Sequence, residues 1–138
     1  MKKDNKGFSL VELIIVIAIM AVLVGLLAPQ YLKYVNNSKV STDISNGQEV
    51  ATVFNVAFAD SVVTTADSPI SSIDTAWGLS MTDFPDSKLT PDTAAAWVVT
   101  LGDNGVESVT LNGHEVWPDP KSGTKGTAGS GYYTEYHK

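Results

Sequence analysis

The longest hydrophobic segment of the chain lies close to its start. Residues 13–29 contain no charged side chain, and the wider segment 8–32 contains only one, Glu12. These 25 residues would form an α-helix roughly 37 Å long, and the hydrocarbon core of a bilayer is about 30 Å thick. The pattern therefore predicts a helix that is long enough to cross a membrane.

A short basic segment precedes this apolar run. Residues 1–7 hold three lysines and a single aspartate. Because positive charges stay on the cytoplasmic side, this asymmetry predicts a cytoplasmic N-terminus, a single pass and an outer location for the rest of the chain. The apolar run exceeds the roughly 7–15 residues of a secretory signal peptide, and Ala28-Pro29-Gln30 is a poor cleavage site of that kind. We therefore interpret the run as an anchor that is retained.

The helical pattern continues beyond the apolar run. Apolar or small residues recur at intervals of three or four, and no proline interrupts residues 30–62. One helix from about Phe8 to Asp60 would be roughly 80 Å long, so a small outer domain cannot cover its first half and neighbouring copies must do so. The positions that carry the pattern are Ile44, Gly47, Ala51, Phe54 and Phe58, continued by Leu32 and Val35, with Lys39, Asp43 and Glu49 as the interspersed charges.

The segment 95–117 predicts an antiparallel sheet. Its three stretches, 95–101, 106–111 and 114–117, are rich in β-branched and aromatic residues, and Asn112-Gly113 is a preferred two-residue hairpin turn. That turn would place Leu111 opposite His114 and Val109 opposite Val116. The whole pattern predicts an α+β fold in which a long helix, one half membrane-spanning and the other amphipathic, packs on three or four strands.

The first hairpin turn can be assigned from the register that it imposes. A three-residue loop, Asp103-Asn104-Gly105 with Gly105 left-handed, sets Val99 against Val109 and Trp97 against Leu111. A two-residue loop would set Val99 against Thr110 instead. The first choice gathers the large apolar residues on one face, which we expect to pack on Ala51, Phe54 and Phe58. The residues of that face are Trp97, Val99, Leu101, Val109, Leu111 and Val116.

The remaining segments predict irregular structure. Residues 62–93 are loop-like, with Trp77, Leu79, Met81 and Phe84 expected to pin them onto the sheet. The acids Asp83, Asp86 and Asp92 have the oxygens that calcium prefers, but their spacing fits no defined loop, so we predict a solvated acidic surface and no metal site. The tail 118–138 is expected to form a flexible glycine-rich loop ending in a short strand or an aromatic patch. Asn36-Asn37-Ser38 matches a glycosylation acceptor, which we interpret as a chance match.

Composition narrows the classes of function. The chain has no cysteine, which excludes disulfides, thiol nucleophiles and thiolate zinc sites. Its net charge of −6 argues against a nucleic-acid groove, and two histidines leave few parts for a catalytic or metal site. We therefore expect a protein that is not an enzyme, needs no cofactor and binds no nucleic acid directly.

The segment Lys6-Gly7-Phe8-Ser9-Leu10-Val11-Glu12 resembles the type IV pilin superfamily. The short basic leader of that family ends in glycine, matched by Gly7, and the first mature residue, usually an N-methylated phenylalanine, is matched by Phe8. The glutamate at the fifth mature position falls on Glu12, and a proline at the twenty-second falls on Pro29. The resemblance implies the pilin fold and three regions: a leader 1–7, a transmembrane and filament-core helix 8–32 and an extracellular domain 33–138.

The resemblance also implies partners. A prepilin peptidase and methyltransferase would cut between Gly7 and Phe8 and methylate Phe8, and a membrane platform protein and an assembly ATPase would drive polymerisation. The single-pass membrane protein would then become part of a cell-surface pilus. The absence of a C-terminal disulfide departs from many Gram-negative pilins and favours a Gram-positive or clostridial-type origin.

Glu12 lies four residues from the amine that cleavage would create, about 6 Å along a helix axis. In a bundle of staggered copies, Glu12 of one subunit could pair with the Phe8 amine of another and set the axial register; the family uses this glutamate in assembly. The alternative is a carboxylate that is solvated near the headgroups and has no role. Pro29 crowds the carbonyl of Gly25, which predicts a kink and local unwinding between them; a mild bend is the alternative.

The function that these features indicate is that of a major subunit of a type IV pilus for adhesion or motility. A pseudopilin of a type II secretion or DNA-uptake system would share every N-terminal feature. A monomeric membrane-anchored binding domain is the alternative from a different class.

Overall fold

The computed structural model describes residues 7–71, 83–91 and 95–138. These residues fall into two units, one ending at Val35 and the other comprising Asn36–Lys138, which we call the outer unit. A single helix, α1 (Leu10–Ala59), contributes to both. Its bounds agree closely with the predicted helix, and its apolar part contains an 18-residue window of mean hydropathy 3.1, none of it buried.

In the outer unit, α1 presents one face to the core. Gly47, Ala51 and Phe54 are buried as predicted, while Ile44 and Phe58 are partly buried against the same core. This face also buries a carboxylate, Asp43, together with Val40, Val50 and Ala57. Asp43 was predicted only as one of the interspersed charges, and its burial was not predicted.

Three antiparallel strands in the order β1-β2-β3 form the sheet: β1 (Trp97–Gly102), β2 (Gly105–Leu111) and β3 (His114–Trp117). The predicted buried face is confirmed, since all six of its residues are buried. Its close approach to α1 depends on Gly47, because a β-carbon there would overlap the Cγ2 atom of Val116 and lie 2.9 Å from its Cβ. The α+β architecture is confirmed.

The first hairpin has the predicted register but not the predicted loop. Val99 pairs with Val109 and Trp97 with Leu111 as predicted, but Gly102 pairs with Gly105, so the loop has two residues and the three-residue prediction is wrong. An extra residue, Glu107, restores the register as a bulge. The bulge lets Val106 and Val109, which a regular strand would point to opposite faces, both enter the core while Glu107 stays exposed.

The second hairpin also contains a bulge. The turn has positive φ angles at Asn112 (53°) and Gly113 (83°), and Leu111 pairs with His114, as predicted. Trp117 rather than Val116 pairs with Val109, because the register shifts by one residue after Thr110. Val116 nevertheless stays in the core.

Single bridges contact the outer edges of the sheet. Beyond a 3-10 turn, Thr65–Asp67, Ile70 exchanges two backbone hydrogen bonds with Val99 of β1 at 2.8 and 2.9 Å. Phe84 is half-buried, with its ring centroid 6.1 Å from that of Phe54. The other predicted anchors of this segment, Trp77, Leu79 and Met81, and the acid Asp92 lie outside the described residues.

The tail forms a short helix, α2 (Tyr132–Tyr136), so the predicted final strand is wrong and the aromatic patch is confirmed. The glycine-rich loop before α2 is hydrogen-bonded to itself: Gly131 N–H donates to the Ser122 carbonyl at 2.8 Å and Tyr133 N–H to the Pro120 carbonyl at 2.7 Å. Gly131 also forms a parallel bridge with Glu115 of β3. These backbone contacts hold the start of α2 against β3 and residue 120.

Candidate functional site

The apolar part of α1 exposes a continuous hydrophobic surface within its own unit. Its large side chains keep between 47% and 73% of their surface exposed from Leu10 to Leu32. An apolar surface of this size on an isolated chain indicates a site that lipid or other protein covers. In the described residues of this unit, Glu12 and Lys33 are the charged side chains.

Glu12 forms a capping box with Ser9 at the start of α1. The Ser9 N–H donates to Oε2 of Glu12 at 2.8 Å, and the Glu12 N–H donates to the Ser9 hydroxyl at 3.2 Å. The helix therefore begins at Leu10 and not at Phe8. The spacing Ser-x-x-Glu is the sequence signature of this capping box, and it could have located the helix start.

The predicted cleavage residues lie outside the helix. Gly7 and Phe8 are not helical, Phe8 is 93% exposed, and apart from its chain neighbours no atom of the described residues lies within 4 Å of a β-carbon built on Gly7. The Gly7–Phe8 bond is thus accessible to an enzyme that binds its substrate in an extended form. Cleavage there stays a prediction.

Gly25 and Pro29 both lie within α1, which continues through the proline. Both residues are exposed, and the surroundings of Gly25 are open. A kink between them stays a prediction.

Asp43 is the residue that sequence reasoning missed most clearly. Its fully buried carboxylate accepts hydrogen bonds from the Tyr132 hydroxyl at 2.7 Å, the Ser87 hydroxyl at 2.8 Å and the Lys88 N–H at 2.7 Å. Burial raises the pKa of Tyr132 well above its usual range, and the charge of Asp43 adds to that rise. The sequence did contain a signal for this burial, because Asp43 lies four residues before Gly47 and therefore on the apolar face of α1.

A second missed feature fastens the C-terminal segment to α1. The Asn36 side-chain amide donates to the Tyr136 carbonyl at 2.8 Å. The Asn37 amide donates to the Lys138 carbonyl at 3.0 Å and accepts from the Lys138 N–H at 2.9 Å. The two asparagines that matched a glycosylation acceptor thus have a structural role, which no spacing in the sequence reveals.

Glu135 organises the loop before α2. It accepts hydrogen bonds from the Gly126 N–H at 2.7 Å and from the Ser130 hydroxyl at 3.3 Å. The Gly126 bond in the first place, and the Ser130 bond after it, hold the pKa of the Glu135 carboxyl below its usual range. His114 contacts the carbonyl of Ser130 through Nδ1 at 3.1 Å, so it also helps to hold the loop in place.

The described part of the chain contains no group of three or more His, Asp or Glu side chains placed to hold a metal ion. Asp86 instead accepts a hydrogen bond from the Ala95 N–H at 3.4 Å.

Comparison with known proteins agrees with these features. Residues 2–28 match a family model described as the prokaryotic N-terminal methylation motif. The chain is 32% identical over 145 residues to the type IV major fimbrial protein FimA of Dichelobacter nodosus, an alignment that covers 88% of this chain and 86% of that protein. Another FimA of that organism is 38% identical over 60 residues, which is 44% of this chain and 38% of that protein. No solved structure gives a significant match.

An exposed apolar helix that begins with a methylation motif and continues into an α+β outer unit defines a pilin-class protein. The similarity to FimA covers nearly the whole length of both chains. The chain therefore belongs to the type IV pilin family. It is accordingly a structural subunit and not an enzyme. The predicted Gram-positive or clostridial-type origin stays a prediction.

Proposed function

We propose that this protein is a major subunit of a type IV pilus, assembled through its apolar helix. The observation that carries the proposal is the exposure of that helix, whose large side chains are at least 47% exposed from Leu10 to Leu32. Lipid and a bundle of identical helices are both apolar surroundings, so the same surface suits a membrane before assembly and a filament core afterwards. The FimA relatives are themselves described as major fimbrial proteins.

Processing would come first. A prepilin peptidase would cut between Gly7 and Phe8 and a methyltransferase would modify the new amine of Phe8. The exposed, non-helical position of these residues supports this step. The chain would by then lie in the membrane with its N-terminus in the cytoplasm and its outer unit outside. A platform protein and an ATPase would then drive assembly.

Glu12 would set the register between copies. A carboxylate within a membrane segment costs about 2.5–3.5 kcal/mol near the helix centre and less towards the interface. An amine from a neighbouring Phe8 would offset that cost only when the two helices are aligned. In the precursor, the Ser9 N–H holds Oε2 of Glu12 at the helix start, where such an amine would arrive.

Two substitutions separate the charge of Glu12 from its structural contact. Glu12→Gln retains the capping box, because glutamine also serves at that position, but removes the charge. Glu12→Ala removes both. We expect both variants to be processed and to form no filaments, while the control Glu49→Gln, at an exposed carboxylate of α1, assembles normally. Normal filaments from Glu12→Gln would overturn the proposed role of the charge.

Mass spectrometry of filaments sheared from cells tests the processing step. The expected N-terminal peptide begins with methylated Phe8. Gly7→Val should leave uncut precursor in the membrane, because the added side chain would hinder the peptidase, while the surroundings of Gly7 in the precursor have room for it. Recovery of the protein only as an uncut monomer that begins at Met1 would overturn the proposal and favour a membrane-anchored binding domain. Low abundance without long fibres would favour a pseudopilin.

A further inference from the structure

Charge is segregated within the outer unit. Between residues 40 and 117 the chain has eleven carboxylates and one lysine, a net charge of −10. Residues 118–138 have three lysines and two carboxylates, a net charge of +1. The fold brings four of these carboxylates to one end of the unit and the three tail lysines to the other, while Asp43 is buried and Glu49 lies between the two ends.

One end, which we call the acidic end, lies where α1 finishes. The Asn55 side chain of α1 accepts a hydrogen bond from the Val106 N–H at 3.0 Å, and this bond holds the first hairpin there. Asp103 shares a shallow cavity with Phe58 and Thr65. The acidic end comprises four exposed carboxylates: Asp60, Asp67, Asp103 and Glu107.

None of these four carboxylates has a cationic partner among the residues that the structure describes. Asp67 accepts hydrogen bonds from Thr64, and the sequence contains no lysine between Lys39 and Lys88 or between Lys88 and Lys121. Four like charges at one end of a small unit repel each other. A surface of opposite charge that meets them would relieve this repulsion.

The opposite end, which we call the basic end, lies where α1 enters the outer unit. Asn36 and Asn37 hold the tail at this level of the helix. The ammonium of Lys121 lies 4.8 Å from the ring centroid of Tyr133, and that ring stacks at 4.2 Å on His137. The basic end comprises four exposed lysines: Lys39, Lys121, Lys125 and Lys138.

The carboxylates of the tail accept hydrogen bonds within their own loop. Glu135 accepts from the Gly126 N–H and the Ser130 hydroxyl, and Asp119 accepts from the Lys121 N–H at 3.1 Å. Glu115, on the neighbouring strand, accepts from the Asp119 N–H at 3.0 Å. These three carboxylates thus have local donors, although they keep their charge, and the four lysines are exposed.

The two ends are about 27 Å apart, because 18 residues of one helix separate Asn37 from Asn55. We propose that the basic end of one copy docks on the acidic end of the next copy along the filament axis, an inference that rests on the proposed function. All copies in a helical filament point the same way, so an axial contact must join two different surfaces of the chain. Two oppositely charged surfaces on one chain suit such a contact.

Charge reversal with rescue tests this interface. Lys121→Glu with Lys125→Glu, and separately Asp103→Lys with Glu107→Lys, place like charges against each other, so we expect the pelletable filament fraction to fall by about tenfold or more. Combining the two pairs restores opposite charges and should restore filaments. Glu49→Lys, at an exposed site on α1 between the two ends, is the matched control. Protease resistance of the membrane-extracted subunit checks that each variant is folded.

Cysteine cross-linking gives a second, independent readout, because the chain has no cysteine of its own. Oxidised filaments that carry both Asp103→Cys and Lys125→Cys should give a ladder of covalent multimers. Mixed filaments that carry one cysteine on each of two chains should give dimers only. Asp103→Cys with Ser45→Cys, an exposed position between the two ends, should give no ladder.

The outcomes separate this inference from the proposed function. Absence of filaments from the unmodified chain would overturn the proposed function itself. Normal filaments from both reversal pairs, together with no ladder, would overturn the axial interface alone. If those variants instead lose binding to a polyanion such as heparin while filaments persist, the lysines face an external partner, and the inference is likewise overturned.

Discussion

The Tyr132 hydroxyl donates a 2.7 Å hydrogen bond to Oδ2 of Asp43, a residue 89 positions earlier in the chain. Both residues are buried, and Ser87 contacts both of them, at 2.8 Å from Asp43 and 3.1 Å from the Tyr132 oxygen. One carboxylate thus joins α1, the segment 83–91 and α2. Because a buried carboxylate without donors is very costly, these three segments depend on each other for their position.

Removal of single members of this network should destabilise the outer unit in proportion to the donors left without a partner. Tyr132→Phe removes one hydrogen bond to a charged group and should cost about 1.5–3 kcal/mol. Asp43→Ala leaves several donors unsatisfied and should cost more. A double-mutant cycle, measured by denaturant unfolding of the detergent-solubilised chain, should give strong coupling between the two. Tyr133→Phe is the control, and equal stability of Tyr132→Phe and the unmodified chain would contradict the network.

Gly47→Ala should destabilise the outer unit, although alanine normally favours a helix by about 1 kcal/mol over glycine. The added methyl group would overlap Val116, and such overpacking costs about 1–3 kcal/mol. The neighbouring exposed residue Ser45 provides the control, since Ser45→Ala adds no contact. A higher melting temperature for Gly47→Ala would show that the helix and sheet can separate at no cost.

The asparagine contacts at the start of the outer unit should protect the C-terminus. Asn37→Ala removes two hydrogen bonds to Lys138, and Asn36→Ala removes one to Tyr136. At about 1 kcal/mol per bond, the three lost bonds of the double variant should raise the exposure of the tail to carboxypeptidase by up to about a hundredfold. Asn104→Ala, in the exposed turn of the first hairpin, should leave digestion unchanged. Equal digestion of all variants would mean that the tail is held by its other contacts alone.

Acid should loosen the loop that precedes α2. The pKa of the Glu135 carboxyl is lowered in the folded protein, chiefly by the Gly126 hydrogen bond. A lowered folded pKa means that the contribution of Glu135 to stability is present above its unfolded pKa, near 4.5, and is lost as the pH falls through the folded value. Hydrogen exchange at the Gly126 amide should therefore speed up on acidification, relative to its intrinsic rate. Glu135→Gln should flatten the pH dependence of exchange at this amide. A variant with the same pH dependence as the unmodified chain would refute the role of Glu135.

The elements that sequence reasoning predicted well are those in which a local pattern decides the structure. The apolar run and the three- and four-residue spacing predicted α1 to within a few residues of its ends. Asn112-Gly113 predicted the second hairpin turn, and alternation along the strands predicted the core residues of β1 together with Val109 and Leu111 of β2, although not Val106. Each of these patterns can be recognised from residues that are close together in the sequence.

The errors arose where packing and contacts in the folded chain, and not the local sequence pattern, decide the structure. Glu107 forms a bulge because both Val106 and Val109 are drawn into the core, and this bulge converted the expected three-residue loop into two residues. The tail became a helix because its backbone donors reach Pro120 and its carbonyls reach Asn36. Asn36 and Tyr136 lie 100 positions apart, so no local pattern of the sequence contains both partners of that contact.

The sequence by itself determined the membrane-length helix, the motif around Gly7 and Phe8 and the pairing of β1 with β2, because short-range periodicity and side-chain chemistry suffice for each. Only the tertiary structure decided that Asp43 is buried, that Asn36 and Asn37 hold the C-terminal segment, and that four exposed lysines and four exposed carboxylates lie at opposite ends of the outer unit. The physical reason is that burial, hydrogen-bond satisfaction and charge separation depend on which distant residues the fold brings together.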